Sequence, residues 1–242
     1  PVEIQVLWIH ALGVMARLTA KKTYGEWQRK AIRSFQRFFI RKDGHGLCDC
    51  LHGDAGQTAE NSVPDDAIRP NQLLAVTLCD FLPHDIAVSI LDACNSLMIP
   101  GGNRSLDDAD VIVEQPVWGD GRLLNNPSHP YIGRYEGDED TRRKPAYHNG
   151  TAWGWTMPMF CEAMLKVYGD SARDAARCLL ETVAIPMQKG CLGHIPEIYD
   201  GDAPHRGRGC PAQAWSVSEA FRVWKLLNDT QIPNEGKITK IQ

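Results

Sequence analysis

The sequence predicts an all-α protein, a partial (α/α)6 toroid with about seven helices present, on three observations. Apolar residues recur at helical spacing in seven stretches, and strand signals are scarce. The connections between these stretches alternate between very short and very long.

In chain order, residues 2–18 carry Ile4, Leu7, Ala11, Met15 and Leu18 at helical spacing, and residues 24–40 carry Trp27, Ala31, Phe35, Phe38 and Phe39. Further helices are predicted over 70–81, 84–98, 152–168, 171–188 and 212–228, the first of them opened by Pro70, which fits a first helical position. The best strand signal, at 111–113, is too short to seed a sheet unaided. The links at 20–23, 82–83 and 169–170 are short enough to force antiparallel neighbours. The other connections, 42–69, 99–151 and 189–211, are long, and consecutive hairpins put all three on the same end of the helical stack. Loops beyond about 15 residues are uncommon in compact domains and are often functional, so a shared site is expected there. At roughly 35 residues per helix a closed twelve-helix toroid needs on the order of 400 residues. The chain opens on Pro1 and Val2 with helical periodicity at once, so a piece of a longer protein is expected. Residues 1–228 then form the C-terminal part of one domain, and 229–242 a polar tail.

An apolar fraction of 43% with 23% charged residues is that of a folded globular chain. A net charge of -4 with scattered basic residues gives no footprint for nucleic acid or for an anionic membrane. No stretch approaches the roughly 20 continuous apolar residues that cross a bilayer, and PVEIQVLWIH lacks the basic start of a secretory signal. An uncharged partner and a cytoplasmic location are expected. Cys79, Cys94, Cys161 and Cys178 fall in apolar helical runs, as small buried hydrophobes do. Cys48 and Cys50 have no second pair at zinc-ligand spacing, so reduced thiols, no metal site and no cofactor are expected.

The long loops carry the chemistry. The first ends in PDDAIRPNQ, whose Asp65, Asp66, Arg69, Asn71 and Gln72 read either as a helix cap with its ion pair or as groups that hydrogen-bond sugar hydroxyls. The second ends in KPAYHNGTAWGW, with Tyr147, His148, Asn149, Thr151, Trp153 and Trp155 within nine residues. Aromatic faces beside polar tips suit a sugar, although a turn followed by two core tryptophans reads the same, and Trp155 fits that role. The third contains Glu197, Asp200, Asp202, His205, Arg206, Arg208, Gln213 and Trp215. It reads either as a solvated acidic turn or as the carboxylates with which an inverting glycosidase activates water.

Five segments stand in order: PVEIQVLW at 1–8, RPNQ at 69–72, RSL at 104–106, YHNGTAW at 147–153 and PEIYDGDAPHRGRGCPAQAWSVSEAFR at 196–222. Together they resemble the C-terminal amylo-α-1,6-glucosidase module of glycogen debranching enzymes, from residue 1 to about 228. The resemblance implies a glucoamylase-like six-hairpin toroid that hydrolyses α-1,6-linked glucose at the branch points of glycogen, or of another branched α-glucan, with inversion. It implies Glu197 as general base, with Asp200 in reserve, and a pocket lined by the YHNGT and QAWS segments. The candidate substrate-binding residues are therefore Asp66, Arg69, Asn71, Gln72, Tyr147, His148, Asn149, Thr151, Trp153, Asp200, Gln213 and Trp215. The family's general acid is an aspartate just upstream of the VEIQ motif, which implies that residues 1–242 alone hydrolyse little. The chain also departs from the family pattern in an insertion from Asp107 to about His129 and in Gly154, where proline is usual. Other readings stay open: a glucan-binding remnant, another (α/α)6 glycosidase such as a trehalase or α-mannosidase relative, and a helical scaffold for protein partners.

Overall fold

The computed structural model describes residues 1–229; apart from Asp229, the tail expected over 229–242 lies outside them. Among the described residues are α1 (Val2–Thr19), α2 (Lys22–Phe38), α3 (Leu73–Leu78), α4 (His84–Asn95), α6 (Thr156–Tyr168), α7 (Arg173–Glu181) and α9 (Ala214–Asn228). Two single turns, α5 (Lys144–Tyr147) and α8 (Ala184–Met187), complete the set. The seven longer helices match the seven predicted stretches, with trimmed ends.

The trimming has local causes. Ala152 and Trp153 pair with other strands, so α6 starts only at Thr156. The stretch over 171–188 splits because Pro186 has no N–H to offer Thr182 and its ring crowds that carbonyl. The Thr182 hydroxyl meanwhile bonds back to the carbonyl of Leu179 at 2.7 Å. Between α1 and α2, Ala20 takes the left-handed conformation at φ 54° and reverses the chain in two residues.

The helices fit the expected all-α module, but nine short strands stand beside them among the described residues. β1 (Leu51–His52) and β2 (Val63–Pro64) form a hairpin, as do β5 (Trp118–Gly119) and β6 (Arg122–Leu123). β3 (Met98–Ile99), β4 (Gly102–Arg104), β7 (Ala152–Trp153), β8 (Ile198–Tyr199) and β9 (Gly207–Arg208) form one antiparallel sheet in the order β3-β4-β7-β8-β9. Residues 111–113, the best strand signal in the sequence, are not a strand. Two- and three-residue strands leave no period to read, and partners from distant loops hold them in place.

Helix α6 packs against α3, α4, α7 and α9 and divides the core. Met159, Phe160 and Ala163 face a cluster with Val6, Phe35, Leu73 and Ile90, while Met157 and Cys161 face Ala176, Leu180, Val223 and Leu227. Each such large side chain contributes about 1.5–3 kcal/mol by leaving water. All eight cysteines are free thiols; Cys94 and Cys161 are buried, Cys79 is half-buried, and Cys178 is exposed rather than buried. Helix α1 is long and apolar enough to cross a bilayer by length and composition, contrary to the reading of the sequence. It carries Glu3, His10 and Arg17 and buries Val2, Val6, Ile9 and Leu12 in the protein.

Candidate active site

The sheet brings the second and third long loops together. β8 pairs with β7, which follows Tyr147 to Thr151, and Glu197 stands immediately before β8. The Tyr147 hydroxyl donates to Glu197 Oε1 at 2.5 Å, and the Cys210 N–H donates to Oε2 at 3.0 Å. The Glu197 N–H in turn donates to the Cys210 carbonyl at 2.8 Å, so backbone and side chain are both fixed. Burial and the adjacent Glu197 carboxylate raise the pKa of Tyr147 well above the ordinary tyrosine value, which keeps it a proton donor.

Aromatic rings extend from this pair. Tyr147 lies 5.6 Å from Tyr135, 4.6 Å from His148 and 5.1 Å from Trp153, between ring centroids. His148 stacks on Trp153 at an interplanar angle of 4°, and Trp215 meets Trp153 and Trp155 at 5.9 and 5.6 Å. Trp153 is only 7% exposed while Trp215 is 45% exposed, so Trp215 supplies the open face. Packing around the His148 ring, then the charge of Arg69, lower its pKa and favour the neutral imidazole.

Arg69 ties the first long loop to the second. Its Nη1 donates to the carbonyls of Ser105 and His148 at 3.1 and 2.5 Å, and its Nη2 to Gln115 Oε1 and Asn149 Oδ1 at 2.8 and 2.9 Å. Its Nε lies 3.4 Å from the Asp49 carboxylate. Burial, with Asp65 and Glu3 nearby, pushes Asp49 up to about 6 despite Arg69. These residues line a cleft of about 600 Å³ together with Asn71. A larger cavity of about 850 Å³ opens between α2 and the β1–β2 hairpin, away from Glu197, so chemistry rather than volume locates the site.

Several candidates are engaged by the protein itself. Both Asp66 oxygens accept backbone N–H groups from Ile112 or Val113, at 2.9–3.1 Å. Gln72 is 3% exposed and bonds Leu47 N–H and the Arg69 carbonyl. Buried Thr151 donates to the Tyr147 carbonyl, and Asn149 donates to that of Pro145. Asp200, 1% exposed, accepts from the Arg208 fork at 3.0–3.1 Å and from the Tyr135 N–H at 2.9 Å, which leaves the reserve base locked in an ion pair. Gln213 precedes α9 and is half-buried, two residues before Trp215. The sequence reading missed Asp49, Tyr135 and the Cys210 N–H; Asp49 and Tyr135 sit outside the five segments, and Cys210, although inside the last of them, acts through a backbone donor, which has no sequence signature.

The chain matches the family described as amylo-alpha-1,6-glucosidase over residues 1–222. It belongs to that family, the C-terminal module of glycogen debranching enzymes. No curated protein matches the chain. Membership of a glycoside hydrolase-like family fits what the geometry offers: a fixed carboxylate, an aromatic wall and a polar cleft, contributed by three separate loops.

Proposed function

We propose that the aromatic wall around Glu197, with the polar cleft that adjoins it at His148, is the glucose-binding and water-activating half of an amylo-α-1,6-glucosidase that hydrolyses α-1,6-linked glucose at glycogen branch points with inversion. The observation that carries the reading is the Glu197 carboxylate, held from both oxygens by Tyr147 and the Cys210 N–H at the foot of the aromatic wall. A carboxylate fixed in this way keeps a lone pair aimed at one place. Glu197 takes a proton from a water as that water attacks the anomeric carbon from the face opposite the leaving group. Trp215 stacks on the C–H face of the sugar, His148, Asn71 and Gln213 serve its hydroxyls, and Tyr147 holds the Glu197 carboxylate. Arg69, Asn149, Gln72, Thr151 and Asp66 position these groups, because their own polar atoms are already bonded. The proton for the leaving oxygen comes, in this reading, from an aspartate of the segment that precedes the VEIQ motif in the family. The helices belong to an (α/α)6 toroid, and the setting is cytoplasmic.

Calorimetry with isomaltose, whose two glucoses share the α-1,6 linkage, tests the reading. Saturable binding is expected, weakened about tenfold or more by Trp215→Ala, equivalent to about 1.4 kcal/mol, and retained by Glu197→Gln. Absence of binding, or binding indifferent to Trp215, overturns it.

A further inference from the structure

The β1–β2 hairpin brings together three side chains that the glucosidase reading does not use. Cys50 immediately precedes β1, His52 lies on β1, and Asp65 immediately follows β2. Asp65 N–H donates to the Cys50 carbonyl at 2.8 Å, which makes the two residues cross-strand neighbours. Residues 50 and 52, two apart along the strand, project to the same side. His52 Nε2 lies 3.3 Å from Cys50 Sγ and 2.9 Å from Asp65 Oδ2, and Sγ lies 3.6 Å from Oδ2.

We propose that Cys50, His52 and Asp65 form a binding site for a zinc-like transition-metal ion. Metal bonds of about 2.3 Å to sulfur and about 2.0–2.1 Å to nitrogen and oxygen, at tetrahedral angles, separate the ligand atoms by roughly 3.3–3.6 Å. The observed triangle is close to that face and needs a shift of a few tenths of an ångström along its nitrogen–oxygen edge. The donors around the ligands are arranged as a metal centre requires. Asp65 Oδ1 is held by Ala67 N–H at 2.9 Å and by Gln115 Nε2 at 3.0 Å, which turns Oδ2 towards the other two ligands. A mixed sulfur, nitrogen and carboxylate set suits zinc and its neighbours better than magnesium or calcium, which take oxygen ligands. All three residues line the cleft that also holds Glu3 and Asp49, and these carboxylates offset the positive charge of Arg69 there. The remaining tetrahedral corner is left for solvent or a further ligand.

Binding a divalent ion displaces the thiol proton of Cys50 to solvent as the sulfur–metal bond forms, with no change of oxidation state. The probe is Co2+, which reports a thiolate ligand by a charge-transfer absorption and a tetrahedral site by intense visible bands. Titration of the chelator-treated chain is expected to reach one Co2+ per chain with both signals, and competition with Zn2+ to abolish them. Because seven other cysteines are present, the decisive variant is His52→Ala, which leaves every thiol in place. It is expected to weaken binding at least tenfold and to change the visible bands, while Cys50→Ser removes the charge-transfer band. His52 is half-exposed, so its replacement leaves the core untouched, and circular dichroism confirms the fold of each variant. No Co2+ bands in the wild-type chain, or bands unchanged in His52→Ala, overturn the proposal.

Discussion

At the scale of single residues, Glu197 and Tyr147 show how a motif becomes chemistry. The Tyr147 O–H keeps its proton, because burial and the neighbouring carboxylate both oppose its loss, and that proton fixes the carboxylate oxygen. Tyr147→Phe keeps the ring in the aromatic wall and removes only the donor. In a glucan-hydrolysing form of the protein it is expected to slow turnover about tenfold or more while isomaltose binding stays within about twofold. Equal losses in binding and turnover would make Tyr147 a sugar contact instead. His148 gives a second check. Its folded-state pKa lies below the ordinary 6.5, so on acidification the unfolded chain binds the proton first. The neutral ring therefore contributes stability that is present above that value and lost as pH falls through the lowered folded pKa. Nuclear magnetic resonance should find His148 titrating below 6.5 and moving upward in Arg69→Gln, which removes a neighbouring positive charge. A midpoint above 6.5 contradicts the packing described. Residue types near one another in sequence were enough to nominate Glu197, Tyr147, His148 and Trp215. They could not say that Gln72, Thr151 and Asp200 turn inward, because a motif names a side chain without its direction. Asp49 matters through its depth and its neighbours, and neither is written in the residues beside it.

At the scale of elements, seven helices were legible because a period of 3.6 persists over many residues, whereas the sheet that sets the site was not. Its strands are two or three residues long, and β7 hides inside a run that continues the apolar pattern of α6. The sheet also relies on backbone approaching backbone. A Cβ placed on Gly201 would come within 2.0 Å of the Gly150 carbonyl oxygen, and Gly150 itself has a φ of 147°. Gly201→Ala is accordingly expected to destabilise the protein by on the order of 1–3 kcal/mol, read from denaturant unfolding, since neither backbone can yield cheaply. The link between loops is as dependent on Arg69. Four acceptors on residues 105, 115, 148 and 149 face its planar fork. Lysine cannot reproduce that geometry. Arg69→Lys should lower stability by about 2 kcal/mol or more and expose residues 105–150 to limited proteolysis. A variant as stable and as protected as the wild type would show that the fork is incidental.

At the scale of the whole molecule, three stretches far apart in the chain are tied together by hydrogen bonds. Arg69 from the first bonds His148 and Asn149 of the second, and Tyr147 of the second bonds Glu197 of the third. Their convergence was expected from the alternation of short and long connections, which places every second connection on the same end of a stack of hairpins. In the proposed function this meeting point holds a glucose, with Glu197 as the base that activates water. α-Glucosyl fluoride tests it most directly, because fluoride departs without a proton from a general acid and the reaction then depends on the base alone. The measurement is fluoride release by the wild-type chain and by Glu197→Gln, with the anomer of the first-formed glucose read by nuclear magnetic resonance. β-Glucose is expected from the wild type, with a loss of about a hundredfold or more in Glu197→Gln. Formation of α-glucose, or equal rates in the two proteins, would contradict it.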